Sequence, residues 1–174
     1  MEKKFILTDK FVINSFGIKL FQIKCTKSFK YAQKGDFGGY VEKEGNLDQE
    51  NDAWVSGDAL VSGNALVSGN AWVSGDARVY GNAWVYGNAW VSGDADIEND
   101  NEHCGFDGFG SCNRHTHAYM TKEKKVEIIC GCFRGSIEEF EKKVEETHSG
   151  TVYEKQYKSI INVIKIKFGL TDFT

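Results

Sequence analysis

Five residues in one short stretch carry the side chains of a zinc site: His103, Cys104, Cys112, His115 and His117. Imidazole and thiolate are the ligands tetrahedral zinc prefers, and Cys130 and Cys132 follow downstream. A small segment with little core would gain folding free energy from such a metal. His115 and His117 alternate along a stretch expected to be extended, which puts both on one side. The spacing Cys104-x7-Cys112-x2-His115-x-His117 matches no zinc finger or knuckle. Free cysteine is as a rule a small buried hydrophobe, so ordinary packing is the competing account. No cofactor is expected on that account, and zinc is the one alternative the sequence admits.

A second set is aromatic. Trp54, Trp72 and Trp90 recur at an interval of 18, with Trp84 and Tyr86 between them. Trp and Tyr are enriched among the residues that dominate binding energy, and a row of three exposed indoles exceeds what a lone monomer leaves open. Such a row is covered by the chain's own C-terminal helices, by a second copy in a homo-oligomer, or by a different protein. Trp54, Trp72, Trp90, Trp84 and Tyr86 are therefore the expected partner-binding residues. Sugar stacking there lacks the convergent polar groups a sugar site needs.

What positions the tryptophans is a repeat. From Asn51 to Glu98 a six-residue unit, Gly-(Asn/Asp)-Ala-x-Val-(Ser/Tyr), occurs eight times without a break. A fixed short period with constant residues at fixed places marks a solenoid. Alternate residues of an extended segment face opposite sides. The free fourth place holds Trp, Leu, Arg and Asp in turn, and one interior cannot pack all of these or bury unpaired charge. Ala and Val therefore point inward and the fourth residue outward. Gly-Asn and Gly-Asp make the corners. Three corners close an 18-residue triangular coil, and eight units stack to roughly 13 Å at about 4.8 Å per coil. Continuing the period backwards, residues 39–50 form a degenerate lead-in coil with Lys43 and Gln49 in the Val places.

The order aliphatic-x-x-x-small-x, as in Val61-Ser62-Gly63-Asn64-Ala65-Leu66, resembles the hexapeptide signature of left-handed parallel β-helices. That resemblance implies left-handed coiling, and it brings acyltransferases, γ-class carbonic anhydrases and non-enzymatic scaffolds into view. Periodicity alone also allows a right-handed, bactofilin-like coil. Acyltransferases of this fold use a His base between coils, and the carbonic anhydrases hold zinc with three coil His. Residues 51–98 contain neither His nor Cys, and general base catalysis needs a group of suitable pKa within reach of its substrate.

Composition narrows the field. Hydrophobic residues at 41% and charged residues at 26% are those of an ordinary globular chain. No run approaches membrane-spanning length, and the start Met1-Glu2-Lys3-Lys4-Phe5 lacks the apolar stretch of a signal peptide. Five cysteines, an odd number, suit free thiols in a reducing compartment. Together these place the expected location in the cytoplasm. The net charge of −4 is concentrated in residues 51–98, which hold six acids and one base. That excludes the basic stripe of a nucleic-acid binder. The acids are corner residues alternating with Asn, or an acidic surface for a basic partner.

The fold expected is mainly β: a short parallel β-helix at 39–98, an N-terminal β-hairpin at 1–38 and a C-terminal ββαα cap at 99–174. The hairpin pairs Phe5–Leu7 with Ile18–Ile23 across an Asn14–Gly17 turn. The cap has strands at 114–120 and 125–130. A helix opens with the capping box Ser136-Ile137-Glu138-Glu139, and another spans 153–167, where the alternation Val163–Lys167 leaves a terminal strand open.

Lys34-Gly35-Asp36-Phe37-Gly38-Gly39-Tyr40-Val41-Glu42, leading into the repeats, resembles the start of hexapeptide-repeat proteins of bacteria, phages and prophages. Cys130-Gly131-Cys132-Phe133-Arg134-Gly135-Ser136-Ile137-Glu138-Glu139-Phe140, with Thr147-His148, resembles the tail of the phage-type members. Proteins of this kind are often labelled transferases or polymer-forming proteins, and the resemblance supplies no catalytic set. It implies a non-enzymatic, phage- or prophage-encoded scaffold acting on a host protein, with inhibition of a host defence complex as one form. The alternative is a hexapeptide-repeat, acyl-CoA-dependent acyltransferase. End-to-end polymer formation is a third option, which two capped termini would oppose.

Overall fold

A computed structural model of the chain describes residues 2–171 and divides into two compact units, the first ending at Asp100 and the second beginning at Asn101. The first unit opens with β1 (Phe5–Ile13) and β2 (Lys19–Cys25), an antiparallel hairpin. Its turn is held by the Asn14 side chain, which accepts from the amides of Phe16 and Ile18 at 3.0 and 2.9 Å. Then comes β3 (Phe37–Val41), followed by one two-residue strand per repeat: β4 (Trp54–Val55), β5 (Leu60–Val61), β6 (Leu66–Val67), β7 (Trp72–Val73), β8 (Arg78–Val79), β9 (Trp84–Val85), β10 (Trp90–Val91) and β11 (Asp96–Ile97).

These strands pair in parallel at an interval of 18 into three faces of a β-solenoid. The tryptophan face has the order β10-β7-β4, and the second face pairs β6 with β9. The third is a six-stranded sheet, β1-β2-β3-β5-β8-β11, so the hairpin prolongs it. Ala and Val or Ile of all eight units are at most 3% exposed, as the inward assignment requires. Corner glycines have φ between 60 and 68°.

The lead-in coil departs from the strict period. Tyr40 pairs with Leu60, Val41 with Val61, and Leu47 bridges Val67, an offset of 20 in place of 18. Two extra residues before Trp54, where Asn51 has φ 52°, absorb the difference. The buried places therefore belong to Val41 and Leu47, not to Lys43 and Gln49. Gly39 stands where the repeat has Ala, because a Cβ there would meet the Ala59 carbonyl oxygen at 2.7 Å.

An open solenoid end leaves edge groups without partners. On the third face β3 supplies them. On the second face Asp48 N donates to Val67 O, and the Asn46 amide donates to Ala65 O at 2.8 Å and Gly63 O at 3.2 Å. Below the tryptophan face, the buried Lys4 ammonium donates to the carbonyls of Glu50, Asn51 and Ala53 at 3.1, 3.2 and 2.8 Å. At the other end, the exposed Asp100 carboxylate accepts from the amide of Trp84 at 2.7 Å.

The second unit has four antiparallel strands in order, β12 (His103–Phe109), β13 (Arg114–Met120), β14 (Val126–Cys130) and β15 (Phe133–Ser136), then α1 (Ile137–His148) and α2 (Val152–Lys167). β12 and β15 are additions to the two strands expected here. The capping box forms, with Ser136 Oγ accepting from Glu139 N and Glu139 Oε2 accepting from Ser136 N. Val163–Lys167 is helical, which resolves the alternative left by its alternation. Ala118, Val126, Ile128 and Cys130 of the sheet pack with Ile137, Phe140, Val144, Tyr157, Ile160, Ile161 and Ile164 of the helices.

Candidate protein-binding faces

The fourth residue of each unit points out of the coil, and the environment of that side chain differs from face to face. On the tryptophan face Trp54, Trp72 and Trp90 stand in register. The loop after β2 folds over this row. Phe29 meets Trp54 edge-on at 5.3 Å, and Tyr31 stacks on Trp72 at 5.4 Å and 16°. Trp72 in turn stacks on Trp90 at 5.3 Å and 17°. The loop is tied down by Tyr31 Oη donating to Asn70 O at 3.2 Å. Trp54, buried to 2% exposure, thus belongs to the core of the first unit, while Trp72 and Trp90 remain partly open.

The second face is the more open one. Trp84 is 48% and Tyr86 57% exposed, with their rings 4.9 Å apart. Trp84 Nε1 donates to Ser68 Oγ at 2.8 Å, and Trp72 Nε1 to Ser56 Oγ at 2.8 Å. The sixth-place serine of one coil thus orients the indole of the next. Beside Trp84 lies a groove of about 490 Å³ lined by Glu44, Leu47, Asp48, Gln49, Leu66 and Ser68. On the third face Arg78 pairs with Asp96 at 3.1 Å, and Phe16 of the hairpin turn lies 5.8 Å from Tyr80.

The corners add charge. Asn64 and Asn82 are linked at 3.2 Å, and Asn70 and Asn88 at 3.3 Å. The remaining column is Asp58, Asp76 and Asp94, all exposed, stacked at about the 4.8 Å strand spacing.

In the second unit the candidate metal ligands divide. His103, His115 and His117 share one side of β12–β13. His103 and His115 flank His117 in a stacked row at 5.3 and 5.6 Å. His115 Nδ1 is 2.8 Å from Asp107 Oδ1, and its Nε2 is 3.3 Å from His117 Nδ1. Burial, reinforced by the two neighbouring imidazoles, pushes His117 well below the usual histidine range, so it is neutral at pH 7. Cys104 pairs with Ala118 and packs on the helix side of the sheet, where burial lifts its thiol to about 11. Cys112 is exposed in the β12–β13 turn. Strand alternation thus separates Cys104 from the histidines. Among the described residues, no group of three or more His, Cys, Asp or Glu side chains is placed to hold a metal ion.

The repeats match the YdcK β-solenoid repeat. The matches cover residues 53–69, 59–75 and 77–93, so they lie inside the eight units and leave both flanks outside. No curated protein matches the chain. Similarity to the YdcK repeat, together with the three-faced stack, makes this a β-helix repeat protein. Among the described residues, no helix is long and apolar enough to cross a membrane.

Sequence reasoning missed three contributors to the faces, Phe29, Tyr31 and Asp48, while the interval of 18 already set the serines beside the indoles. Phe29 and Tyr31 sit in a loop with no periodic signal. Asp48 lies in the two-residue shift. The coil of 18 places Ser56 beside Trp72 and Ser68 beside Trp84.

Proposed function

We propose that the protein is a non-enzymatic scaffold that binds a protein partner on the outer faces of its β-helix, with Trp84, Tyr86, Trp72 and Trp90 as anchors. The supporting observation is the pair Trp84–Tyr86, large aromatic rings half in solvent yet one of them held by a side-chain hydrogen bond. Rings fixed before binding lose little side-chain freedom on contact, and Trp and Tyr are the residue types that anchor interfaces. In its finer form the protein is phage- or prophage-encoded and acts in the bacterial cytoplasm on a host protein, a defence complex being one such target. That form is supported by the resemblance of residues 34–42 and 130–140 to phage-type hexapeptide-repeat proteins. A second copy of the chain is the other occupant to consider, and no nucleic-acid or membrane partner suits an acidic solenoid.

The acyltransferase alternative requires a base at a coil junction, and residues 51–98 carry no His or Cys. Calorimetry with acetyl-CoA separates the two readings, since only the alternative expects binding. The scaffold reading is tested by affinity capture from host lysate with wild type, Trp84→Ala and Trp72→Ala. Loss of a captured protein in either variant is the expected result. Identical recovery by all three overturns the assignment of these faces.

A further inference from the structure

We infer that the groove beside Trp84 is built to take an arginine side chain from a basic segment of the partner. This inference rests on the protein-binding reading and names the chemistry of one site within it.

The groove is an open one of about 490 Å³, suited to a side chain laid along it. Its floor is apolar, with Leu66 and the exposed face of Trp84 above the buried Leu47. Its rim is acidic. Glu44 already holds Lys3 at 2.7 Å. Asp48 accepts from the amide of Glu50 at 2.9 Å, and its other oxygen has one long contact, 3.4 Å to Asn51. A carboxylate offers about four acceptor positions, so Asp48 keeps capacity for a donor from outside. Gln49 is engaged with Lys4 and Phe5 and serves as wall.

Charge selects the occupant. Residues 44–100 contain ten acids and a single base, Arg78, which is paired with Asp96 on the third face. A second copy docked by the same face would therefore bring acids against acids, and an anionic ligand would meet the same barrier. An uncharged apolar segment would desolvate the rim carboxylates without pairing them. Arginine satisfies both parts of the site. Its methylene stem covers Leu66, and its planar guanidinium stacks on the Trp84 indole while donating to Asp48. Lysine offers a point charge without the planar stack and is the weaker ligand.

The probe is an acetylated, amidated Gly-Arg-Gly-Gly-Arg-Gly peptide, with Lys-for-Arg and Glu-for-Arg peptides as controls. The readout is the four indole N–H signals in a two-dimensional ¹H–¹⁵N spectrum. The Arg peptide is expected to move the Trp84 signal saturably and leave Trp54 still. The Lys peptide should bind more weakly and the Glu peptide not at all. In calorimetry with the same peptide, Trp84→Ala and Asp48→Asn should each weaken binding about tenfold, as loss of a stacked or charge-assisted contact implies. Asp48→Asn retains the acceptor for Glu50 N, so the coil end stays intact. No saturable Trp84 shift, equal shifts at all four indoles, or equal response to the Glu peptide would overturn the inference. Capture that depends on Trp72 but not on Trp84 would also overturn it, while leaving the scaffold reading in place.

Discussion

Lys4→Met is expected to cost the first unit about 3 kcal/mol. Three backbone carbonyls, those of Glu50, Asn51 and Ala53, take their donor from the ammonium of one lysine, a residue 5% exposed to solvent. A buried acceptor left unsatisfied costs about 1–3 kcal/mol, and three of them at a partly hydratable edge total about 3 at the low end. Methionine keeps the volume and removes only the donors. All four tryptophans lie between Trp54 and Trp90, so intrinsic fluorescence in a urea titration reports this unit. A difference below about 0.5 kcal/mol would mean water replaces the ammonium without penalty.

The same residue carries a pH signature. Burial outweighs the attraction of Asp48 and Asp52 and pulls Lys4 from 10.5 down to about 8. Between those values the unfolded chain retains a proton that the folded chain releases, so this group's contribution to stability rises with pH across the window. Below pH 8 the penalty for burying the charge is present in full. The stability gap between wild type and Lys4→Met is expected to widen from pH 8 to 10. A narrowing gap would reverse the assigned direction.

Gly75→Ala is expected to destabilise the coil more than Gly87→Ala, although the two glycines have nearly equal φ of 66 and 67°. Left-handed backbone costs a residue with a Cβ about 1–2 kcal/mol, and both variants incur that. At Gly87 a new Cβ meets nothing within 4 Å. At Gly75 it would lie 2.8 Å from the Gly93 amide nitrogen of the next coil, and relieving that contact moves backbone, at about 1–3 kcal/mol more. Denaturant midpoints of the pair check it. Equal losses would show that coil spacing yields freely at the corner.

The regular coils were legible because Ala and Val repeat under a packing constraint that admits only one inside face. The lead-in coil was not, since two extra residues shift its register and Gly39 there fills an Ala place. In the second unit, the alternation of His115 and His117 put both on one face as expected. The same alternation sends Cys104 to the other side, and that step needed the pairing of His103 with Tyr119 and Cys104 with Ala118. β12 and β15 escaped notice because His103-Cys-Gly-Phe-Asp-Gly-Phe and Phe133-Arg-Gly-Ser hold too few β-branched residues to announce strands. The tryptophan row was visible in full. Its partial cover by Phe29 and Tyr31 depends on a long-range contact that no local pattern encodes.

Radical footprinting of the protein in complex with its captured partner tests the claim that the β-helix faces are the binding surface. Protection of Trp84 and Tyr86, with or without Trp72 and Trp90, is the predicted result. Unchanged labelling of these four side chains, with protection confined to residues 101–171, would contradict it.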